Sequence, residues 1–139
     1  MGGVNLTKRY SVTLFVIFLL LILTQISHGC YQNKITIARP LEGYVYIMDK
    51  KIIPTFSGKT IIIGKITIFV IIEEEIERVE FKIDGITLHK DYLPPFFFTW
   101  NTLKYARGTH TIKVLAYDME KNAFYDEMNV NVISFKRKE

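Results

Sequence analysis

Few residues in this chain have the type and spacing that catalysis or metal binding needs. After residue 30 there are two histidines, His89 and His110, and neither falls in H-E-x-x-H or another spacing that sets two imidazoles on one metal. Of the four serines, Ser11, Ser27, Ser57 and Ser134, none after residue 30 stands beside a histidine, and there is no G-x-S-x-G and no phosphate loop. Asp126 and Glu127 are the paired carboxylates to consider for sugar hydrolysis, but neighbours on a strand face opposite sides and cannot flank one bond. Glu73-Glu74-Glu75-Ile76-Glu77 collects oxygen ligands of the kind calcium takes from flexible loops. It lacks the alternation with Asp, Asn and Gly that would make such a loop, and it reads as a solvated charge run. The expectation is no catalytic, cofactor or metal site, and no enzyme.

The elements that carry these residues are strands. From Arg78 to Asp118 apolar residues recur at every second position: Val79, Phe81, Ile83, then Phe96, Phe98, Trp100, then Ile112, Val114, Ala116. A period of two puts each trio on one side of a sheet, with Glu80, Lys82, Thr99 and Lys113 pointing away. Asp84-Gly85 suits a tight hairpin, and Pro94-Pro95 and Arg107-Gly108 each precede a strand. Val79, Phe81, Ile83, Phe98, Trp100, Ile112, Val114 and Ala116 are the expected core.

The same stretch carries a family resemblance. VEFKIDG, then PPFFFTWNT, then GTHTIKVLAYD resemble the C to F strands of immunoglobulin-like domains of bacterial and archaeal surface proteins, in order. The match is most similar to an archaeal extracellular group with a GYxYI segment and a TIIIGKITI strand upstream, here Gly43-Tyr44-Val45-Tyr46-Ile47 and Thr60 to Ile68. The resemblance covers roughly residues 35 to 135. It implies an all-β fold, an immunoglobulin-like antiparallel β-sandwich of seven to eight strands, and an extracellular location; it implies no reaction. His110 matches a family position at the start of the Ile112 strand and is expected to close the end of the sandwich.

A chain of 139 residues has room for one such domain of about 100 residues plus a short leader. The 10 Phe and 8 Tyr supply large side chains for a core shared by two sheets. The net charge of +4 includes Lys8 and Arg9 of the leader, and the remaining excess is too small and scattered to indicate nucleic acid. With Cys30 as the single cysteine, no internal disulfide forms and packing alone holds the domain.

Lys8 and Arg9 precede an apolar run from Val12 to Leu23, and Ser27-His28-Gly29-Cys30 follows. A positive start, an apolar centre and small residues at the exit are the parts of a secretory signal. Residues 1–30 therefore read as a signal peptide or membrane anchor, 31–34 as a spacer, 35–135 as the domain and 136–139 as a charged tail. The exit resembles a lipoprotein cleavage site, which would make Cys30 a lipidated first residue, although Ser27 stands where such sites carry an aliphatic residue. Ordinary cleavage and an uncleaved helix are the other outcomes, the last from a run shorter than the roughly 20 residues that span a bilayer. In each case the positive-inside rule sends residues 31–139 outward.

Taken in order, Ile35 to Ala38 begins the first strand, Gly43 to Met48 makes a second at a sheet edge, and Ile52 to Lys59 reads as a loop. Thr60 to Ile72 is the longest strand expected. Its core face is Ile66, Ile68, Val70 and Ile72, which leaves Phe69 and Ile71 outward. Phe124 to Phe135 pairs back last. Phe69 and Ile71 on one outer face, and Leu115, Tyr117 and Ile133 on the other, form a candidate contact surface, since exposed apolar patches mark interaction sites. A free edge near Tyr44 offers self-association. The expected role is a non-catalytic extracellular module for adhesion, protein contact or structure, with the membrane, other surface proteins or further copies as partners. The alternative is a module binding surface glycans through Tyr44, Tyr46, Tyr92 and Tyr125. Mass spectrometry of the mature N-terminus separates the three fates of the leader, because only lipidation leaves a modified Cys30.

Overall fold

The computed structural model of this chain describes residues 12–19, 34–105 and 107–134. The chain divides into two compact units, Met1–Asn33 and Lys34–Glu139. In the first, residues 12–19 are helical; no helix among the described residues is long and apolar enough to cross a membrane. Cys30, residues 31–33 of the spacer and the charged tail lie outside the described residues.

The second unit is a sandwich of two sheets, with ten strands among the described residues. These are β1 (Ile35–Arg39), β2 (Tyr44–Ile47), β3 (Lys50–Pro54), β4 (Thr60–Ile63), β5 (Lys65–Ile72), β6 (Arg78–Ile83), β7 (Ile86–Asp91), β8 (Phe97–Asn101), β9 (Gly108–Tyr117) and β10 (Ala123–Ile133). One sheet runs β1-β5-β8 and the other β3-β2-β4-β10-β9-β6-β7. Most neighbours are antiparallel, but β4 pairs parallel with both β2 and β10.

Two segments account for the strands beyond eight. The apolar run from Thr60 to Ile72 is not one strand: it breaks at Gly64, with β4 in the larger sheet and β5 in the smaller. Gly64 has φ +91°, a left-handed backbone that side-chain-bearing residues adopt at a cost. Its carbonyl accepts from the Thr102 backbone N–H (3.0 Å) and from the Thr102 hydroxyl, so the short 3-10 turn Thr102–Lys104 pins the crossing. Residues 52–54, expected in a loop, belong to edge strand β3, which also moves β2 from the edge to an interior position. The hydrophobic alternation of Tyr44 to Ile47 was readable, but the partner that covers it has no periodicity of its own.

The β2–β3 hairpin turns through Met48 (φ 47°) and Asp49 (φ 70°), neither a glycine. The Asp49 carboxylate offsets that strain by tying this turn to the other sheet. It accepts from the Thr67 N–H (2.7 Å), the Thr67 hydroxyl (2.8 Å) and the Arg39 guanidinium (2.9 Å). Burial raises the Asp49 pKa, and the bonds from Thr67 and Arg39 outweigh it and hold the group below its usual value.

The core lies between the sheets. Val79, Phe81, Ile83, Trp100, Ile112, Val114 and Ala116 are buried, together with Ile62, Ile66, Ile68, Tyr46 and Val130, and Phe98 is half-buried against them. Burying each large side chain contributes about 1.5–3 kcal/mol, enough in sum to replace a disulfide. Gly64→Ala is expected to lower stability by about 1–2 kcal/mol, because the new Cβ both disfavours the left-handed backbone and meets the Met48 side chain. The urea midpoint measures this; an unchanged midpoint would show that the crossing does not need glycine.

Candidate functional site

β5 is longer than its neighbour β8. The β5–β8 ladder runs from Lys65↔Asn101 to Phe69↔Phe97, one further bond joins the Val70 N–H to the Phe96 carbonyl, and beyond it β5 continues to Ile72 with β1 as its paired strand. Beyond Phe97 the other chain departs through Pro95 and Pro94, which have no N–H to continue a ladder. The gap that opens is a groove enclosing about 690 Å³. Ile71, Ile76, Pro94, Pro95, Phe96 and Met119 line it with Phe69 and the end of β5, and Glu74 and Glu75 stand at its rim.

Local chemistry sets the walls. Asp118 accepts from the backbone N–H of Glu120 and Asn122 (2.9 Å each), which shapes the loop that presents Met119. Burial pushes the Asp118 pKa up, but its bonds to Asn122, foremost among the shifts, hold it below the usual value. Lys121 Nζ donates to Glu77 (2.5 Å) and the Glu77 N–H to the Tyr117 carbonyl (2.8 Å), so the acidic loop is tied to the Met119 loop.

The structure brings Phe69 and Ile71 together at this groove, with Ile71 54% exposed. It adds Phe97, 49% exposed and directly opposite Phe69 across the ladder. Opposed residues share a face, so the two rings form one outer patch. Sequence reasoning passed over Phe97, although it is out of phase with Phe96, Phe98 and Trp100 and therefore must face outward. Met119 and Ile76 had no sequence signal, since they arrive from loops.

Leu115, Tyr117 and Ile133 do not form one surface. Tyr117 lies under the Arg78 guanidinium, 4.0 Å from its ring centre, and Leu115 is half-buried opposite Glu80. Glu80 is itself covered, with Arg78 at 3.2 Å and Lys90 at 3.4 Å. Burial raises its pKa, and these cations more than reverse the shift. Ile133 stands apart from both, beside Ile63, which in turn pairs with Ile47. The free edge near Tyr44 is corrected too: β3 takes that edge.

The titratable residues serve the fold. His89 stacks on Phe98 (5.2 Å between rings). His110 Nδ1 lies 2.6 Å from Asp84, and packs edge-on to Trp100 and Tyr105. Asp126 accepts from the Ile37 N–H (2.8 Å), while Glu127 pairs with Lys113 (3.0 Å). In the acidic run Glu74 meets Lys34 at 2.7 Å, and the described residues hold no cluster of three metal-ligating side chains. The four tyrosines are dispersed: Tyr46 is buried, Tyr44 is half-buried with Lys51 over its ring, and the exposed Tyr92 and Tyr125 lie in the loop after β7 and on β10.

The model of a family described as a bacterial Ig domain matches residues 55–114. Fibronectin(III)-like modules of CbhA from Clostridium thermocellum share 21% identity with this chain at a TM-score of 0.53. That likeness covers 73% of this chain and 99% of theirs. The endo-beta-1,4-mannanase from Thermotoga petrophila is 10% identical at a TM-score of 0.54, over 77% of this chain and 21% of the enzyme. No curated protein matches. The second unit is an immunoglobulin-like module.

One end of the module is closed by a contact between the β6–β7 turn and β9. Asp84 opens the β6–β7 turn at φ 51°, and its carboxylate accepts from the Thr111 N–H (2.9 Å) and meets His110. Burial raises its pKa, but the bonds from His110 and Thr111 outweigh burial and leave it below the model-compound value of 3.8. A depressed carboxylate stabilises the fold above its unfolded pKa and loses that contribution as pH falls through the folded value. Acid titration of thermal stability should therefore show the module losing stability below about pH 4, with Asp84→Asn losing less over that window. Parallel curves for the two proteins would refute the assignment.

Proposed function

We propose that this immunoglobulin-like module is a non-catalytic extracellular unit that works by protein contact, through the groove at the end of β5 and the patch beside it. The observation that carries this reading is the convergence of Phe69, Ile71 and Phe97 with an open apolar groove of about 690 Å³. Large apolar side chains left in water at one place are the usual mark of an interaction site. On the outer face of β9 and β10 cations lie over the rings instead, Arg78 over Tyr117 at 4.0 Å and Lys113 over Tyr125 at 4.1 Å.

The apolar leader, ending at Ser27-His28-Gly29-Cys30, supports export and attachment to the outer face of a membrane by helix or lipid. The likeness to modules of the CbhA protein supports an accessory role beside other domains. A glycan platform has less support, since stacking a sugar needs aromatic rings on one face, and Tyr46 is in the core while Tyr92 and Tyr125 lie apart.

The test is photo-crosslinking on intact cells, using the full chain with p-benzoylphenylalanine at position 71 or, as a control, at the exposed Asn129 on the other sheet. Position 71 should give a discrete protein adduct and position 129 none. Equal labelling at both positions, or a glycan adduct at 71, would remove the groove from this role.

A further inference from the structure

The groove contains an unused piece of sheet edge. Glu73 N–H donates to the Lys34 carbonyl toward β1 (3.2 Å), whereas Val70 N–H donates the other way, to the Phe96 carbonyl (3.3 Å). Alternate residues of a strand direct their N–H and C=O to the same edge, so Ile72 points as Val70 does, into the space that β8 has left. No hydrogen bond reaches the Ile72 N–H from the Pro94-Pro95 side among the described residues. A segment that fits must be extended, apolar enough for Ile71, Ile76 and Met119, and positive at one end for Glu75. Glu74 is committed to Lys34 at 2.7 Å, and Glu75, with no ion pair among the described residues, is the carboxylate open to a new cation.

Among the described residues β3 has that chemistry. β3 reads Lys-Lys-Ile-Ile-Pro, all five residues are exposed, and one of its edges is bare. Ile52 and Ile53 are 49% and 57% exposed, and neither Lys50 nor Lys51 has an ion pair among the described residues. The other edge of that sheet, β7, is less suited, since its Lys90 is committed to Glu80.

The geometry points to a second copy of this chain as the occupant: β3 of one copy adds as a strand to the β5 edge at Ile72 of the next. Neighbours on a strand face opposite sides, so one alternate pair of β3, either Lys50 with Ile52 or Lys51 with Ile53, meets the apolar groove and Glu75 at its edge. The inference rests on the contact reading above and names its partner. Strand addition of this kind draws affinity from main-chain bonds and direction from the side chains. Because the two surfaces differ, the contact is head-to-tail and builds chains or rings instead of closed pairs.

Charge exchange tests it. Residues 34–139, a compact unit with its own core, are followed by sedimentation velocity as wild type, as Lys50→Glu with Lys51→Glu, and as Glu74→Lys with Glu75→Lys. The wild type should self-associate as concentration rises toward about 1 mM, and each double variant alone should associate at least about tenfold more weakly. An equimolar mixture of the two variants should recover association, since each then offers the charge that the other needs; this also excludes loss of fold as the cause. A wild type monomeric at about 1 mM, or a mixture that stays monomeric, overturns the inference. A monomeric wild type with a protein adduct at position 71 would leave the contact reading standing and remove only the second copy as its partner.

Discussion

The structure depends on a single change of sheet at Gly64. An uninterrupted strand from Thr60 to Ile72 would place all its isoleucines in one layer, and the other layer would lose its central pairing. Breaking the run lets Ile62 fill one side of the core and Ile66, Ile68 and Val70 the other. The left-handed backbone costs energy, and the Thr102 bonds to the Gly64 carbonyl hold it in place. Asp49 acts on the same layers from another point, joining a turn of the larger sheet to Thr67 and Arg39 of the smaller. Both devices are polar contacts between layers in a chain that has no disulfide to do this work.

The groove follows from that construction. β5 must extend far enough to pair with β1 along Ile35 to Arg39, while β8 ends where Pro94 and Pro95 carry the chain across. Unequal strand lengths leave an open end, and two loops with opposite charges, Glu77 and Lys121, close around it. The groove is walled by strand β5 on one side and by loops carrying Ile76, Pro94, Pro95 and Met119 on the other.

Charge covers the opposite face of the sandwich. On the outer face of β6, β9 and β10, Arg78, Lys90 and Lys113 pair with Glu80 and Glu127 and cover tyrosine rings. Each exposed pair adds little stability. Together they make that face polar, which contrasts with the bare isoleucines of β3 and β5.

Alternation of apolar residues by itself determined that residues 78–118 form strands and which side chains of β6, β8 and β9 face inward, because side-chain direction on a strand has a period of two whatever surrounds it; the sandwich was what the resemblance of the motifs implied. The same parity set Phe69 and Ile71 outward. Only the tertiary structure decided which strands are neighbours: that Thr60 to Ile72 serves both sheets, that Lys50–Pro54 forms the edge in place of Tyr44–Ile47, and that Ile133 stands apart from Tyr117. Those outcomes depend on pairing between segments far apart in the chain, and on where one strand stops short of its neighbour. Residue type and spacing carry no record of either, so Phe97, Ile76 and Met119 joined the site only when distant loops and strands were brought to the end of β5.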